Sequence, residues 1–196
     1  MQGENLLVSF VLRPAFEPDR WTWIPLAASV AVADTIGLVA PGLSPRVKWP
    51  NDVRLGGLKV SGILAESRIE ASGSGYVVLG IGLNVNQPAF DGELSSIATS
   101  LRRFSGRSFD RADVLAALCD ALEHRVAAIG SSPASLASAY RALLDGVSTR
   151  VSVRHPVTGD RVEGILEGID DQGALVLSTT TGRRTFSAGE VTLRPV

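Results

Sequence analysis

Residues 47–67 read VKWPNDVRLGGLKVSGILAES, and this stretch predicts a tight β-hairpin. The Gly56-Gly57 pair can adopt the positive φ angles that a two-residue turn requires, so the chain is expected to reverse there. The reversal brings Lys59 back beside Asp52, which places a cation on one strand and a carboxylate on the other. We therefore expect a site for negatively charged oxygens at this hairpin.

The residues around the turn are expected to shape that site. Trp49 supplies aromatic packing, Pro50 restricts φ, and Asn51 has a side chain that often caps turns, so together they fix where Asp52 points. Gly62 lacks a side chain in an apolar strand, which would let a ligand approach the backbone closely.

The composition is that of an ordinary globular protein, with 45% hydrophobic and 20% charged residues in a chain of 196. The formal net charge of −1 offers no basic excess for binding nucleic acid. The single Cys119 excludes an intramolecular disulfide, and its helical surroundings predict a buried packing thiol. With only two histidines, the sequence offers no zinc cluster.

The sequence shows no signal peptide, because the first residues lack a basic start and a small-residue cleavage site. The apolar stretch 24–40 is short for a membrane span and contains Pro25, Asp34 and Gly37, so a buried core helix is the better interpretation. We expect no membrane association and a cytoplasmic location.

The apolar patterns predict both strands and helices. Strands are predicted at 5–13, 46–49, 53–55, 58–69 and 75–85, and an extensively buried helix at 21–38. The run 75–85 is continuous enough to predict a central strand covered on both faces. Three further helices are predicted: a short one at 95–102, one that is capped by Asp110 and ends near Gly130, and one that begins at Pro133.

After Gly146 the pattern changes to short alternating strands separated by turns, which predicts a small antiparallel barrel. We place the domain boundary near Asp145-Gly146, which gives a first domain of residues 1–145 and a second of residues 146–196. The predicted fold class is α+β.

Two motifs resemble the central segment of biotin protein ligases, the biotin–[acetyl-CoA-carboxylase] ligases. They are the stretch 47–67 and the sequence VVLGIGLNVNQ at 77–87. NLLVSFVLRP at 5–14 is similar to the strand that opens this part of the family's catalytic domain, and the tail from about 147 to 196 is similar to its C-terminal domain. The resemblance implies a mixed/antiparallel sheet packed with helices, as in biotin/lipoate ligases, plus a small SH3-like β barrel.

The resemblance also implies an activity. Members of the family use ATP to form biotinoyl-AMP and then transfer biotin to a lysine of a biotin carboxyl carrier protein domain. Biotin and ATP are the implied substrates, Mg²⁺ is the implied metal, and a homodimer is a further expectation. Lys59 matches the family's lysine that contacts the biotin carboxylate and the adenylate phosphate, so it is the expected catalytic residue. Gly62 and Leu64 are the other expected biotin contacts.

Five residues are expected at the ATP or adenylate: Lys48, Trp49, Asn51, Asp52 and Asn84. Asp52 is also the candidate ligand for Mg²⁺, which usually takes one or two carboxylates plus nucleotide oxygens. Simpler interpretations stay open, namely an exposed hairpin lysine for Lys59, a turn cap for Asp52, and the end of a strand for Asn84. In the last strand, Glu190 and Arg194 are expected to reach toward the nucleotide, to stabilise the carrier-bound form, or to form a surface ion pair.

Full-length family members carry an N-terminal segment before the strand at 5–13, with a Ser/Thr-rich biotin contact and a glycine- and arginine-rich loop that this chain lacks. We therefore expect weak or absent ligase activity for the 196-residue chain, and an open sheet edge that favours pairing with another chain. A start assigned too late in the coding region, a fragment, and a truncated member that no longer ligates are the three open explanations. Without a helix-turn-helix domain, a DNA-binding repressor is not expected.

Two other functions stay open at this stage. One is a non-catalytic ligand-binding or dimerisation module derived from the same fold. The other is a lipoate-type ligase or acyltransferase, against which the KWPND segment and the GILAE that follows it both argue. An in-frame upstream extension that encodes the glycine-arginine loop would favour the enzyme.

Overall fold

The first sheet contains the stretch 47–67, in which the hairpin was predicted. The computed structural model describes residues 3–70, 75–154, 159–187 and 192–195. The strands of this sheet are β1 (Leu6–Leu12), β2 (Arg46–Lys48), β3 (Asp52–Leu55), β4 (Leu58–Ile69) and β5 (Gly75–Leu83). They lie in the order β1-β5-β4-β3-β2, and every neighbouring pair is antiparallel. The predicted hairpin is therefore formed by β3 and β4, next to the β2 edge.

One face of this sheet packs against the helix α1 (Ile24–Val39), which follows a 3-10 helix at Pro18–Trp23. The prediction of an extensively buried helix is confirmed, because its alanines, valines and isoleucines are nearly all inaccessible to solvent. Its buried hydroxyls stay within the helix, since Ser29 and Thr35 donate to carbonyl oxygens one turn earlier at 2.9 and 2.8 Å.

The same helical stretch, Pro18–Val39, is long and apolar enough to cross a membrane by length and composition alone. However, 67% of its most apolar window is buried inside the protein, which is typical of a core helix.

The strand β5 differs from its prediction. We expected a strand covered on both faces, but burial alternates along it. The buried positions are Val77, Leu79, Ile81 and Leu83. The intervening positions, including Gly80 and Gly82, are only partly buried, so among the described residues this face is less covered than the other. The run 75–85 reads as continuously apolar because glycines stand at partly buried positions, where an exposed strand face usually carries polar residues.

Four helices follow the first sheet: α2 (Leu94–Ile97), α3 (Leu101–Ser105), α4 (Arg111–Ser131) and α5 (Pro133–Leu143). The single helix predicted at 95–102 is two short helices instead, since the chain is extended at Ala98. Pro133 begins α5 as predicted. The prediction for Cys119 was wrong, because its thiol lies on the exposed side of α4.

Asp110 caps α4 as predicted, since its carboxylate accepts a hydrogen bond from the Ala112 N–H at 2.7 Å. We expect Asp110→Ala to lower the free energy of unfolding by about 1 kcal/mol, because one N-terminal N–H loses its partner. Urea unfolding followed by circular dichroism would measure this. Asp120→Ala, an exposed acid in the middle of the same helix, is the control and should change stability by less than about 0.5 kcal/mol. Equal losses in both variants would contradict the capping role.

The second sheet contains β6 (Arg150–Arg154), β7 (Arg161–Ile169), β8 (Leu175–Thr179), β9 (Gly182–Phe186) and β10 (Thr192–Pro195). Its order is β10-β6-β7-β8-β9, again antiparallel throughout. The predicted small C-terminal β unit and the α+β class are confirmed. The boundary near Asp145-Gly146 falls between α5 and β6, and the division into two domains there stays a prediction. Glu190 lies outside the described residues, and for Arg194 the structure gives only its place in β10.

The two sheets share one continuous core. Gly173, in the turn before β8, has φ +78°, and its carbonyl oxygen accepts a hydrogen bond from the Trp49 ring N–H at 3.1 Å. A Cβ at Gly173 would lie 3.0 Å from Leu26 Cδ2, so this turn packs tightly against α1. The base of the β3–β4 hairpin is thereby fixed to the C-terminal sheet.

Candidate active site

The less covered face of the first sheet has one row of side chains that crosses all five strands. Reading from the β1 edge, strand register pairs Leu7 with Gly82, Gly82 with Gly62, Gly62 with Asp52, and Asp52 with Lys48. Residues that are directly opposite each other in adjacent strands share a face. The row therefore runs from an apolar edge, across two glycines, to a carboxylate and an ammonium.

The glycines form a floor without side chains. A third one, Gly80, lies between Ser9 and Leu64 in the next row. A cavity of about 450 Å³ stands over this floor, bordered by Leu7 and Leu64, which are 88% and 63% exposed. Ligand pockets are typically concave and lined mostly by apolar side chains with a few polar groups. The floor and its two leucines can therefore hold a flat, mostly apolar group.

A β-bulge places Lys59 on this face. Val53 pairs with Ser61 but Arg54 pairs with Lys59, so Val60 is an extra residue in β4. In a regular strand, Lys59 and Gly62 would point to opposite faces, because they are three residues apart. The extra residue restores them to the same face. The bulge was not predicted from the sequence.

The backbone of the bulge is held by the segment that follows β5. The Lys59 carbonyl accepts from the Thr99 N–H at 2.8 Å, and the Val60 carbonyl accepts from the Asn84 N–H at 2.9 Å. The Asn84 side chain in turn donates to the Thr99 carbonyl at 3.0 Å. The first two bonds satisfy carbonyls that the sheet ladder leaves unpaired at the bulge, and the third ties Asn84 to the segment that carries Thr99. Asn84 is thus more than the end of a strand, because it braces the backbone of Lys59.

The Lys59 ammonium forms an ion pair with the Asp52 carboxylate. The lysine side chain lies directly over Gly62, where a Cβ would come within 2.9 Å of Nζ and 3.0 Å of Cε. Lys59 is 46% exposed and borders the cavity, and its partner Asp52 is 20% exposed. We expected Gly62 to let a ligand approach the backbone, but here its open space is filled by Lys59.

Asn51 is tied to the neighbouring strand. Its side-chain amide donates to the Ile63 carbonyl at 2.7 Å, and its own carbonyl accepts from the Ile63 N–H at 2.9 Å. The residue also borders the cavity. Because one N–H of its side-chain amide and its backbone carbonyl are both bonded to Ile63, Asn51 acts as a brace beside Asp52.

Trp49 requires a correction. We expected it at the nucleotide, but its side chain is fully buried and its ring N–H is engaged by Gly173. It offers no surface to a ligand in this structure. The local sequence does not determine whether the Trp49 side chain packs into the core or points to solvent. The motif alone therefore led to the wrong prediction.

Tyr140 is a neighbour of the site that sequence reasoning placed only on a helix face. It is completely buried, and within the described part of the chain its hydroxyl has no hydrogen-bond partner. Burial raises the pKa of Tyr140 well above its usual value, and the charge of Asp52 raises it further. The hydroxyl therefore stays protonated. No sequence signal distinguishes it from an ordinary core tyrosine.

Comparison with known proteins identifies the family. The model of the biotin/lipoate A/B protein ligase family matches residues 2–84, and that of the biotin protein ligase C-terminal domain matches residues 150–194. The biotin--[acetyl-CoA-carboxylase] ligase of Paracoccus denitrificans is 33% identical over 197 residues, which cover 97% of this chain and 81% of that protein. The chain belongs to the biotin protein ligase family.

Other members of the family are similarly close. The biotin--[acetyl-CoA-carboxylase] ligase of Mycobacterium tuberculosis is 38% identical over 175 residues, which cover 88% of this chain and 63% of that protein. The bifunctional ligase/repressor BirA of Bacillus subtilis is 34% identical over 98% of this chain, and this chain spans 59% of its length. The structure of biotin protein ligase from Aquifex aeolicus in complex with biotin and ATP superimposes with a TM-score of 0.86 at 25% identity, covering 98% of this chain and 79% of that chain.

Within this member of the biotin protein ligase family, the structure brings most of the expected site residues together. Gly62, Leu64, Lys59 and Asn51 border one cavity. The remaining polar candidates lie at its edge: Asp52 is ion-paired to Lys59, Lys48 is directly across from Asp52 in β2, and Asn84 supports the bulge. Their individual roles toward ligands stay predictions.

Proposed function

We propose that this protein acts as an ATP-dependent biotin protein ligase. In the first step, a carboxylate oxygen of biotin attacks the α-phosphorus of ATP, a new P–O bond forms, and pyrophosphate leaves. In the second step, a lysine amine of a carrier protein attacks the carbonyl carbon of biotinoyl-AMP, an amide forms, AMP leaves and a proton is released. The observation that carries the proposal is the Lys59 ammonium at the polar end of a glycine floor.

Lys59 meets the main electrostatic difficulty of the first step. A carboxylate and a polyphosphate are both negative, so they repel each other as they come into contact. An ammonium between them lowers this repulsion and stabilises the charge that moves from the carboxylate to the phosphate during attack. The bulge and its bonds fix the backbone of Lys59, so the side chain starts from a defined position on the cavity face.

The rest of the cavity suits biotin. Gly80 and Gly82 leave room for a ring system to lie against the backbone, and Leu7 and Leu64 flank it with apolar surface. The volume of about 450 Å³ lies within the range of roughly 300–1,000 Å³ that is usual for small-molecule sites. The carboxylate tail would then extend along the row toward Lys59.

The nucleotide is proposed to lie beyond Lys59, between the end of β5 and the β2–β3 edge. One N–H of the Asn84 side-chain amide is engaged with Thr99, and its oxygen is proposed to accept a hydrogen bond from the adenine amino group. Lys48 is directly opposite Asp52 in the strand register and brings a second positive charge to the edge where the polyphosphate would pass.

Mg²⁺ fits this arrangement only together with the nucleotide. Within residues 3–70, 75–154, 159–187 and 192–195, no group of three or more His, Cys, Asp or Glu side chains is placed to hold a metal ion. Mg²⁺ characteristically uses one or two carboxylates plus substrate phosphates, so the single carboxylate of Asp52 suffices as the protein ligand. When bound, the metal would supply charge neutralisation on the polyphosphate.

The protein that accepts biotin, the oligomeric state and the cellular location are the remaining parts of the proposal. A biotin carboxyl carrier protein domain is the proposed acceptor, and a second copy of this chain is the proposed partner in a homodimer. A cytoplasmic location, without membrane or nucleic-acid binding, is consistent with the net charge of −1 and with the burial of the one long apolar helix among the described residues.

Isothermal calorimetry tests the proposed function. Biotin, ATP with Mg²⁺, and biotinoyl-AMP would be titrated in turn into the protein, with lipoyl-AMP as the comparison ligand. We expect biotinoyl-AMP to bind most tightly, because it fills the glycine floor and the Lys59 end together, and to bind more tightly than lipoyl-AMP. Failure of all three biotin and ATP ligands to bind would refute the proposal, and a preference for lipoyl-AMP would favour a lipoate-type function.

A further inference from the structure

The ion pair between Lys59 and Asp52 occupies the position that a ligand anion would need. The two side chains meet over Gly62, and Asp52 is the more enclosed partner, at 20% exposed against 46% for Lys59. The carboxylate comes from β3 and is directly opposite Gly62, so its location is set by strand register. The lysine tip, which extends from a long flexible stem, is the part that can move.

An arriving carboxylate or phosphate therefore meets an ammonium that already has a counter-ion. If both anions stayed on the same ammonium, they would repel each other at close range, in a cavity with few other charges. If the ligand anion replaces the Asp52 carboxylate, this repulsion is avoided. Lys59 then has one counter-ion both before and after the ligand binds.

We propose that Asp52 is a positioning residue that holds the Lys59 ammonium over Gly62 until the ligand's oxyanion takes its place. The proposal rests on the proposed function, in which the biotin carboxylate is that oxyanion. Gly62 makes the arrangement possible, because a methyl group there would occupy the space of Nζ and Cε. Asp52 thus lowers the affinity for a ligand carboxylate that binds without the nucleotide, because that carboxylate must displace it. At the same time, Asp52 keeps the lysine correctly placed.

The first test measures biotin affinity by calorimetry without nucleotide or metal. Asp52→Asn keeps the size of the side chain but removes its charge, so we expect biotin to bind about fivefold more tightly, the upper range for a partly exposed ion pair. Biotin methyl ester carries no anion and should bind native protein and variant equally. The control is Asp145→Asn, which removes a carboxylate from the nearby Arg54 pair at 3.6 Å and should change neither affinity.

The second test follows Lys59 itself. The chain has only two lysines, Lys48 and Lys59, so acetylation by acetic anhydride can be quantified at each by mass spectrometry, with the amino terminus as the internal reference. We expect Asp52→Asn and Gly62→Ala both to accelerate acetylation of Lys59 severalfold, because the first removes its counter-ion and the second displaces it. Asp145→Asn should leave the rate unchanged.

The outcomes separate this proposal from the proposed function. Unchanged or weaker biotin binding in Asp52→Asn would overturn the exchange, and so would an equal gain for the methyl ester. If the native protein binds no biotin, the proposed function fails, and the acetylation rates alone decide whether Asp52 restrains Lys59. Equal rates in native protein and Asp52→Asn would then overturn the positioning role.

Discussion

Lys59→Ala is expected to weaken the binding of biotinoyl-AMP by about ten- to a hundredfold, since a hydrogen bond to a charged group contributes roughly 1.5–3 kcal/mol. The loss arises because the ammonium is the cation that the bulge directs onto the glycine floor. Calorimetry with native protein and variant would measure it, and circular dichroism would confirm that the variant is folded. An unchanged affinity would remove Lys59 from the site.

Two further variants sharpen this result. Arg183→Ala removes a cation that is also paired with a carboxylate, Glu167 at 3.0 Å, but in the C-terminal sheet, so it should leave binding unchanged. Lys59→Arg keeps the charge but brings a wider planar group over Gly62, where there is space only for a slender stem. We expect it to recover a small part of the affinity. Full recovery would show that charge alone, without the close fit over Gly62, is sufficient.

Trp49→Ala is expected to lower the free energy of unfolding by about 3–5 kcal/mol, the usual cost of truncating a fully buried large aromatic side chain. The cavity would open where the hairpin base meets the C-terminal sheet, and the Gly173 carbonyl would lose its donor. Urea unfolding would measure the loss. A change below about 1 kcal/mol would mean that the indole is not packed as described.

Trp49→Phe separates packing from ligand contact. The ring remains but the hydrogen bond to Gly173 is lost, so we expect a loss of about 1–2 kcal/mol in stability. Biotinoyl-AMP affinity should be unchanged, because the indole does not reach the cavity. A folded Trp49→Phe protein with much weaker adenylate binding would restore the prediction first made from the sequence, that Trp49 contacts the nucleotide.

Much of the fold followed from local sequence rules. The Gly-Gly turn, the Asp110 cap and the proline at the start of α5 each fix a backbone feature through the residue's own chemistry, and the structure has all three. The buried α1, the strands of the first sheet and β6 to β9 followed from apolar periodicity, whereas β10 followed from the family resemblance. These signals act within a few residues, so a single sequence is enough to reveal them.

The site was harder to predict, because its geometry depends on pairing between distant segments. Strict alternation in β4 places Lys59 on the wrong face relative to Gly62, and only the register with β3 reveals the extra residue at Val60. The role of Thr99 depends on a segment about forty residues away in the chain reaching the Lys59 carbonyl. The inward packing of Trp49 likewise depends on a turn in the second sheet.

The contact between the hairpin base and the turn at Gly173 gives the protein an optical probe of its own. Two of the three tryptophans meet there: Trp49 donates its ring N–H to the Gly173 carbonyl, and a Cβ at Gly173 would lie 3.4 Å from Trp23 Cε2. If the C-terminal sheet separated from the rest, both indoles would gain contact with water and their fluorescence would shift to longer wavelengths. The wavelength of maximum tryptophan emission would thus report whether that sheet is docked, without any attached label.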